Sequence, residues 1–269
     1  MAESTAPAAQ DRRPDAPLAD DDVNVWLDDV HVTYRIYEDR ALRLLDLARG
    51  KRRRFREIQA VRGIDLVARR GETIGIVGRN GSGKSTLLQA LSGLLPVDAG
   101  EVYARSQPTL LGVGTALQPN LSGRRNVELG CLALGMNGRE VDDAIPRVLA
   151  FAGVQDFGDL PLRAYSSGMR ARLLFAIATT VIPDILVIDE ALAVGDEEFR
   201  DKSRNRIKEL REGAGTVFLV SHALDTILDT CTRVLWLHDG QLRADGDPGQ
   251  VVDQYKADVE DRRRRAAGG

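Results

Sequence analysis

The residues best suited to chemistry form one run, Gly78-Arg79-Asn80-Gly81-Ser82-Gly83-Lys84-Ser85-Thr86. It satisfies G-x-x-x-x-G-K-[ST] at every position, the pattern of a loop that cradles phosphates. Glycines let the backbone curl so that successive N–H groups face one anion, and a following helix adds the positive end of its dipole. In such a loop Lys84 reaches the β- and γ-phosphates and the Ser85 hydroxyl sits on Mg²⁺, while Gly78, Asn80, Gly81, Ser82, Gly83 and Thr86 complete the cradle. The flanks meet the requirement. The apolar strand candidate Thr73–Val77 precedes the run, and the helical stretch Leu87–Leu91 follows it. A glycine-rich turn with a merely structural lysine would need neither. Nucleotide binding is the expectation.

A second constellation is Asp184-Ile185-Leu186-Val187-Ile188-Asp189-Glu190. Four consecutive apolar residues suit a central parallel strand covered on both faces, and two carboxylates end it. Asp189 is placed to hold Mg²⁺ through water, and Glu190 to polarise the water that attacks the γ-phosphorus. Acids that simply favour the start of the next helix are the bland reading, weakened by the phosphate loop in the same chain. His222 follows another apolar strand, Thr216–Val220, where a lone histidine is usually just a polar terminus. His31 and His238 read as structural, and three histidines and two cysteines are too scattered for a metal cluster.

A third element separates classes of ATPase. Tyr165-Ser166-Ser167-Gly168-Met169 stands directly before the helical run Arg170–Ala178 and upstream of the Asp189 strand. Ser166 offers a hydroxyl and Gly168 allows close backbone approach, both at a helix N-terminus suited to an anion; an isolated Ser-Ser-Gly would read as an ordinary N-cap. Together these motifs resemble the ATPase subunit of an ABC transporter. Tyr165–Met169 match the signature usually written L-S-G-G-Q, Asp189-Glu190 the Walker B end, Ala193–Asp196 the D-loop and Val220-Ser221-His222 the switch histidine, all in family order between about Val23 and Tyr255.

The resemblance implies a head-to-tail homodimer in which each ATP lies between Lys84 of one subunit and Ser166 and Gly168 of the other. It gives His222 the γ-phosphate and the attacking water. It places the adenine-stacking aromatic at Tyr34, on the alternating strand Val30–Tyr34, with Tyr37 the fallback. An aromatic packed under the sheet remains the alternative there. The implied fold class is α/β: a P-loop core with a parallel sheet, an N-terminal antiparallel β-subdomain and an inserted helical subdomain.

Strands to carry these residues are expected at Val23–Tyr34, Ile58–Arg69, Thr73–Val77, Glu101–Ala104, Thr109–Val113, 185–189, 216–220 and 233–238. Helices are expected from Lys84, over Arg124–Leu134 and over Glu140–Ala152. Residues 1–22 read as a disordered acidic tail, 23–257 as one ATPase domain with its helical subdomain at about 114–182, and 258–269 as a frayed basic tail. No internal repeat is visible. The net charge of −3 does not recommend nucleic acid, and two cysteines fit a reducing compartment. No apolar run approaches the roughly 20 residues of a membrane span. A transporter ATPase of this kind is therefore expected at the cytoplasmic face of the cell membrane, held there by a separate multi-span permease.

Three departures narrow the resemblance. Ser167 and Met169 replace the signature's glycine and glutamine; the glutamine expected near Val113-Gly114 is missing, with Gln118 several residues late; and an insertion spans roughly 36–57. With Asp-Glu-Ala-Leu-Ala-Val-Gly-Asp at 189–196 and Pro119–Asn126, these resemble ATPases that export O-antigen, teichoic acid or galactan, which implies a lipid-linked polysaccharide as cargo. In the insertion, leucines Leu44, Leu45 and Leu47 precede Arg49, Lys51, Arg52, Arg53, Arg54 and Arg56. It reads equally as a basic hairpin at the membrane face or as a solvated loop. An importer, a drug exporter or a non-transport ABC ATPase remain the other classes.

Overall fold

Period-two alternation builds the first layer. In this computed structural model, which describes residues 20–37, 55–111, 117–189, 197–221 and 223–267, β1 (Val23–Tyr37) buries Val25, Leu27, Val30 and Val32. Its partner β2 (Phe55–Arg69) buries Val61, Ile64, Leu66 and Ala68 on the same side. The two pair antiparallel from Val23↔Arg69 out to Tyr37↔Phe55. β4 (Ala99–Ala104) pairs on the other edge of β1, giving the order β2-β1-β4. This is the expected antiparallel subdomain.

Both strands run about three residues further than their sequence patterns, into the insertion. Cross-strand partners hold them there, including the Arg35–Glu57 ion pair at 3.3 Å. Residues 38–54, which carry most of the basic run, lie outside the described residues.

Continuous apolar runs make the second sheet. β3 (Thr73–Val77), β6 (Ile185–Asp189), β7 (Thr216–Val220) and β8 (Arg233–His238) are buried along almost their whole length, as strands covered on both faces must be. With β5 (Thr109–Leu111) and β9 (Gln241–Gly246) the order is β5-β6-β7-β3-β8-β9, parallel except for β9. One face packs on the antiparallel sheet and on α1 (Lys84–Leu91), through Leu87, Leu88 and Leu91 against Ile74, Ile76 and Phe218.

The other face is covered by α4 (Ser167–Ala178), α5 (Glu197–Gly213), α6 (Leu224–Thr230) and α7 (Pro248–Ala267). A separate apolar cluster joins α2 (Gly123–Ala133), α3 (Gly138–Phe151) and α4, which is the helical subdomain. Phe151, Phe175 and Phe199 meet where it joins the core, with ring centroids 5.7–6.2 Å apart.

Two terminal expectations need correction. Asp20 and Asp22 are not loose: Asp20 receives Arg69 at 2.6 Å, and the Arg70 N–H donates to the Asp22 carbonyl at 2.7 Å. That Arg69 bond holds the Asp20 carboxyl below its usual range. At the other end, Arg262–Arg265 are helical rather than frayed. The Asp247 carboxylate caps the start of α7 at the Gln250 N–H. Asp258–Arg262, Glu260–Arg264 and Asp261–Arg265 then pair one turn apart, and each such pair supports a helix by a few tenths of a kcal/mol. β9 was not anticipated; its alternating burial against β8 makes it an edge strand.

Candidate nucleotide site

The site gathers at the C-terminal ends of β3, β6 and β7, where parallel sheets of this class present ligands. The loop after β3 bends through Gly81 and Gly83, at φ 80° and 102°, values that cost a side-chain-bearing residue strain. Neighbours also demand glycine: a Cβ on Gly83 would stand 2.2 Å from the Ala60 carbonyl oxygen, and one on Gly78 2.3 Å from that of Leu237. The loop is thus shaped by β2 and β8 as well as by its own residues.

Lys84 opens α1 with its side chain folded back under the loop. Its ammonium donates to the carbonyls of Gly78 at 2.7 Å and Arg79 at 3.0 Å. Burial pushes its pKa down, and the nearby Asp189 charge partly offsets this. The N-terminus of α1 has no side-chain cap and no acidic residue in its first turn, whereas Ser122, Asn137 and Ser166 cap α2, α3 and α4. Open N–H groups without competing acids suit an anion. Among the described residues the buried Ser82 hydroxyl has no hydrogen-bond partner, a donor left over for a ligand. These features fit a nucleotide's phosphates.

Asp189 closes β6 across from the loop, and Ser85 Oγ donates to Asp189 Oδ2 at 3.2 Å. A hydroxyl and a carboxylate in contact form a hard-oxygen pair of the kind Mg²⁺ prefers. Tyr34 reaches the same region from β1: its hydroxyl lies 3.4 Å from Thr86 Oγ1, while the residue stays 40% exposed.

The second candidate anion contact lies apart, on the helical subdomain. Ser166 caps α4 by accepting the Met169 N–H at 3.1 Å. Tyr165 is buried beside it, its hydroxyl donating to the Phe157 carbonyl at 2.8 Å. A Cβ on Gly168 would meet nothing nearer than Ser166 Oγ at 3.9 Å. Nothing among the described residues of this chain requires glycine at 168, although glycine in a helix costs about 1 kcal/mol against alanine.

The family model for the ABC transporter matches residues 61–193. Teichoic acids export ATP-binding protein TagH of Listeria monocytogenes is 36% identical over 234 residues, covering 86% of this chain and 70% of TagH. This chain belongs to the ABC transporter family. Its cassette is also similar, at 41% identity over 226 residues, to the O-antigen export system ATP-binding protein RfbB of Myxococcus xanthus, covering 83% of this chain. The ABC transporter protein AbcA of Aeromonas salmonicida is 44% identical over 198 residues, 73% of this chain. The chain spans 64% of AbcA's length and 51% of RfbB's. Among solved structures, the dimeric ATP-binding cassette MJ0796 bound to ADP and Pi has the same fold, with a TM-score of 0.62 at 24% identity over 83% of this chain and 98% of that one.

Within this ABC cassette the structure brings together Gly78, Asn80, Gly81, Ser82, Gly83, Lys84, Ser85 and Thr86 with Asp189 and Tyr34. Ser166 and Gly168 stand elsewhere. Glu190, the D-loop and His222 lie outside the described residues, as does the Val113-Gly114 position of the missing glutamine.

Sequence reasoning missed two organisers. Buried Asn126 accepts the Gln118 N–H at 2.6 Å and donates to the carbonyls of Gln118, Leu121 and Ser122, so it fixes the entry to α2. The hint was a polar residue on the inward face of an amphipathic helix. Tyr165, seen only as part of the signature, is the anchor that fixes where the signature begins.

Proposed function

We propose that this chain is an ATPase subunit that powers export of a lipid-linked polysaccharide, of the teichoic acid or O-antigen kind, through a separate membrane permease. The observation that carries the ATPase reading is the contact between Ser85 and Asp189 beside a buried Lys84 and an uncapped helix N-terminus. Support for the cargo comes from the relatives, whose names are those of teichoic acid and O-antigen export proteins. No helix among the described residues is long and apolar enough to cross a membrane, which agrees with a channel formed by another polypeptide.

In this reading the loop N–H groups, the Ser82 hydroxyl and Lys84 bind the triphosphate, and Tyr34 offers its exposed ring to adenine. Ser85 and Asp189 hold Mg²⁺, which supplies positive charge against the charge that develops on the transferred phosphoryl oxygens. Glu190 polarises the attacking water, and His222 orients it against the γ-phosphate. ATP and water give ADP and phosphate. Ser166 and Gly168 meet the nucleotide of a second copy, which accounts for a glycine at 168 that the described residues of its own chain do not require. The helical subdomain passes dimer closure and opening to the permease.

Glu190→Gln separates binding from hydrolysis. The variant should bind ATP as wild type does, accumulate as an ATP-bound dimer by size-exclusion chromatography, and lose turnover by at least about a hundredfold. Wild-type turnover in that variant would remove Glu190 from its role. For the cargo, the chain should co-purify from detergent-solubilised membranes with a multi-span protein in near-equal amount. Recovery with ribosomal or chromosomal proteins alone would sink the export reading and leave the ATPase standing.

A further inference from the structure

Helix α7 does more than cover the sheet. Val251 and Val252 bury its first turns, the Tyr255 ring stands edge-on to Trp236 at 5.9 Å, and Arg262 donates to His238 Nε2 at 2.8 Å. So anchored, its later turns rise alongside the end of β3. Between them lies a cavity of about 410 Å³ lined by Val77, Gly78, Ser221, Leu224 and, from α7, Tyr255, Lys256, Val259, Glu260 and Arg263. Positions 256, 259, 260 and 263 follow the i, i+3, i+4, i+7 spacing of a single helix face.

Two walls of this cleft belong to the nucleotide site. Gly78 is the first residue of the phosphate loop, and its carbonyl receives the Lys84 ammonium. Ser221 directly precedes His222. The opposite wall is cationic. Among the described residues neither Lys256 nor Arg263 has an ion-pair partner, whereas the one acid of the lining, Glu260, is engaged by Arg264 at 3.2 Å. The balance facing the cleft is therefore positive. Its volume accommodates a phosphate with several waters, each taking about 30 Å³ in the liquid.

We propose that this cleft is a second anion site that takes inorganic phosphate, with Lys256 and Arg263 as its binding cations, and that it forms the side exit for the phosphate product. This rests on the ATPase reading above. When a second copy covers the front of the loop, an anion leaving Lys84 needs another way out. Gly78, whose carbonyl holds that ammonium, itself lines the cleft. The cations draw the anion away from Lys84 and then release it to solvent, where they are themselves exposed.

Two measurements on the full-length chain test this. Of the two tryptophans, Trp26 is replaced by Phe, leaving Trp236, in contact with the cleft's Tyr255, as the reporter. Inorganic phosphate titrated into the ADP-loaded protein at constant ionic strength should change its emission saturably. Lys256→Gln with Arg263→Gln, which keeps the helix and the side-chain stems, should raise the half-saturating phosphate concentration by about tenfold per lost charged contact. Lys256→Arg with Arg263→Lys should restore it. In single-turnover experiments the double Gln variant should cleave ATP at the wild-type rate in acid quench, yet release phosphate to a fluorescent phosphate sensor about tenfold more slowly.

The arms separate the sources of the anion: the titration reads phosphate entering from solution, and the sensor reads the product. Titrations that coincide for wild type and double Gln variant would overturn the site. Intact cleavage with unchanged release would overturn the exit. Absence of cleavage in the wild-type chain would instead overturn the ATPase reading, and the titration would still decide the cleft.

Discussion

Replacing Lys84 with Met separates what this side chain does for nucleotide from what it does for the fold. Lys84 is 8% exposed, and its ammonium meets two carbonyl oxygens, at 2.7 and 3.0 Å. Methionine keeps most of the stem's bulk and drops the charge. Losing the hydrogen bonds costs about 1–3 kcal/mol, and relief from holding a desolvated charge returns an amount of the same order. The ligand-free melting temperature should therefore stay within about 3 °C of wild type.

Binding should behave differently. A charge-assisted contact to phosphate contributes about 1.5–3 kcal/mol, so affinity should fall about 10- to 150-fold. At an ATP concentration of about 100 times the wild-type Kd, linkage stabilises the wild-type fold by about 2.7 kcal/mol; a hundredfold loss of affinity leaves about 0.4. At about 2–4 °C per kcal/mol for a chain of this size, an ATP-induced rise of about 5–10 °C shrinks to about 1 °C. Thermal unfolding by circular dichroism, with and without ATP and Mg²⁺, reads both quantities. A rise in the variant of more than about two-thirds of the wild-type value, beyond what even a tenfold loss leaves, would refute the placement of Lys84 on the phosphates.

The pH dependence has a definite sign. Burial lowers the folded-state pKa of Lys84, partly offset by Asp189. Between that lowered value and the unfolded value of about 10.4, the unfolded chain carries more protons, so this residue's contribution to stability rises with pH. Below the folded pKa the difference between wild type and the Met variant should be flat; it should shift in favour of wild type as pH climbs through the window.

Other outcomes follow from the same geometry. Tyr165→Phe removes the 2.8 Å bond to the Phe157 carbonyl, which still accepts the Leu160 N–H at 2.9 Å. It should cost about 0.5–1.5 kcal/mol, the net worth of one hydrogen bond, read as a lowered urea midpoint with an unchanged slope; an unchanged midpoint would mean the phenol bond adds nothing to stability. Tyr34→Ala should leave the melting temperature within about 2 °C, since the ring is 40% exposed, yet weaken ATP by about 5- to 150-fold if the ring stacks on adenine. Equal ATP affinity would assign Tyr34 to the sheet surface instead.

Much of this molecule was open to reading from local signals. The loop 78–86 announces itself because phosphate binding needs a fixed order of residue types over nine consecutive residues, and that order is a property of sequence. The buried strands β3, β6 and β7 are legible for a similar reason: strands covered on both faces must be apolar throughout, whatever their neighbours. Helix α4 and its cap at Ser166 follow from the serine, the glycine and the apolar periodicity after them.

What sequence missed depends on contacts between distant segments. Arg262–Arg265 looked like a frayed tail because charge runs usually are; pairing one turn apart and the anchors at Trp236 and His238 make them helix. Asp20 and Asp22 looked loose because Arg69 and Arg70 are far along the chain. β9 was missed because an edge strand needs only β8 beside it.

The residue types of the phosphate loop were therefore determined by sequence alone, since one short segment supplies them in order, while β2 and β8 help to shape its backbone. The meeting of Ser85 with Asp189, of Tyr34 with Thr86, and of α7 with the start of the loop was decided by the tertiary structure. Those groups lie tens to nearly two hundred residues apart, and only the packing of strands and helices across one sheet brings them within a few ångströms.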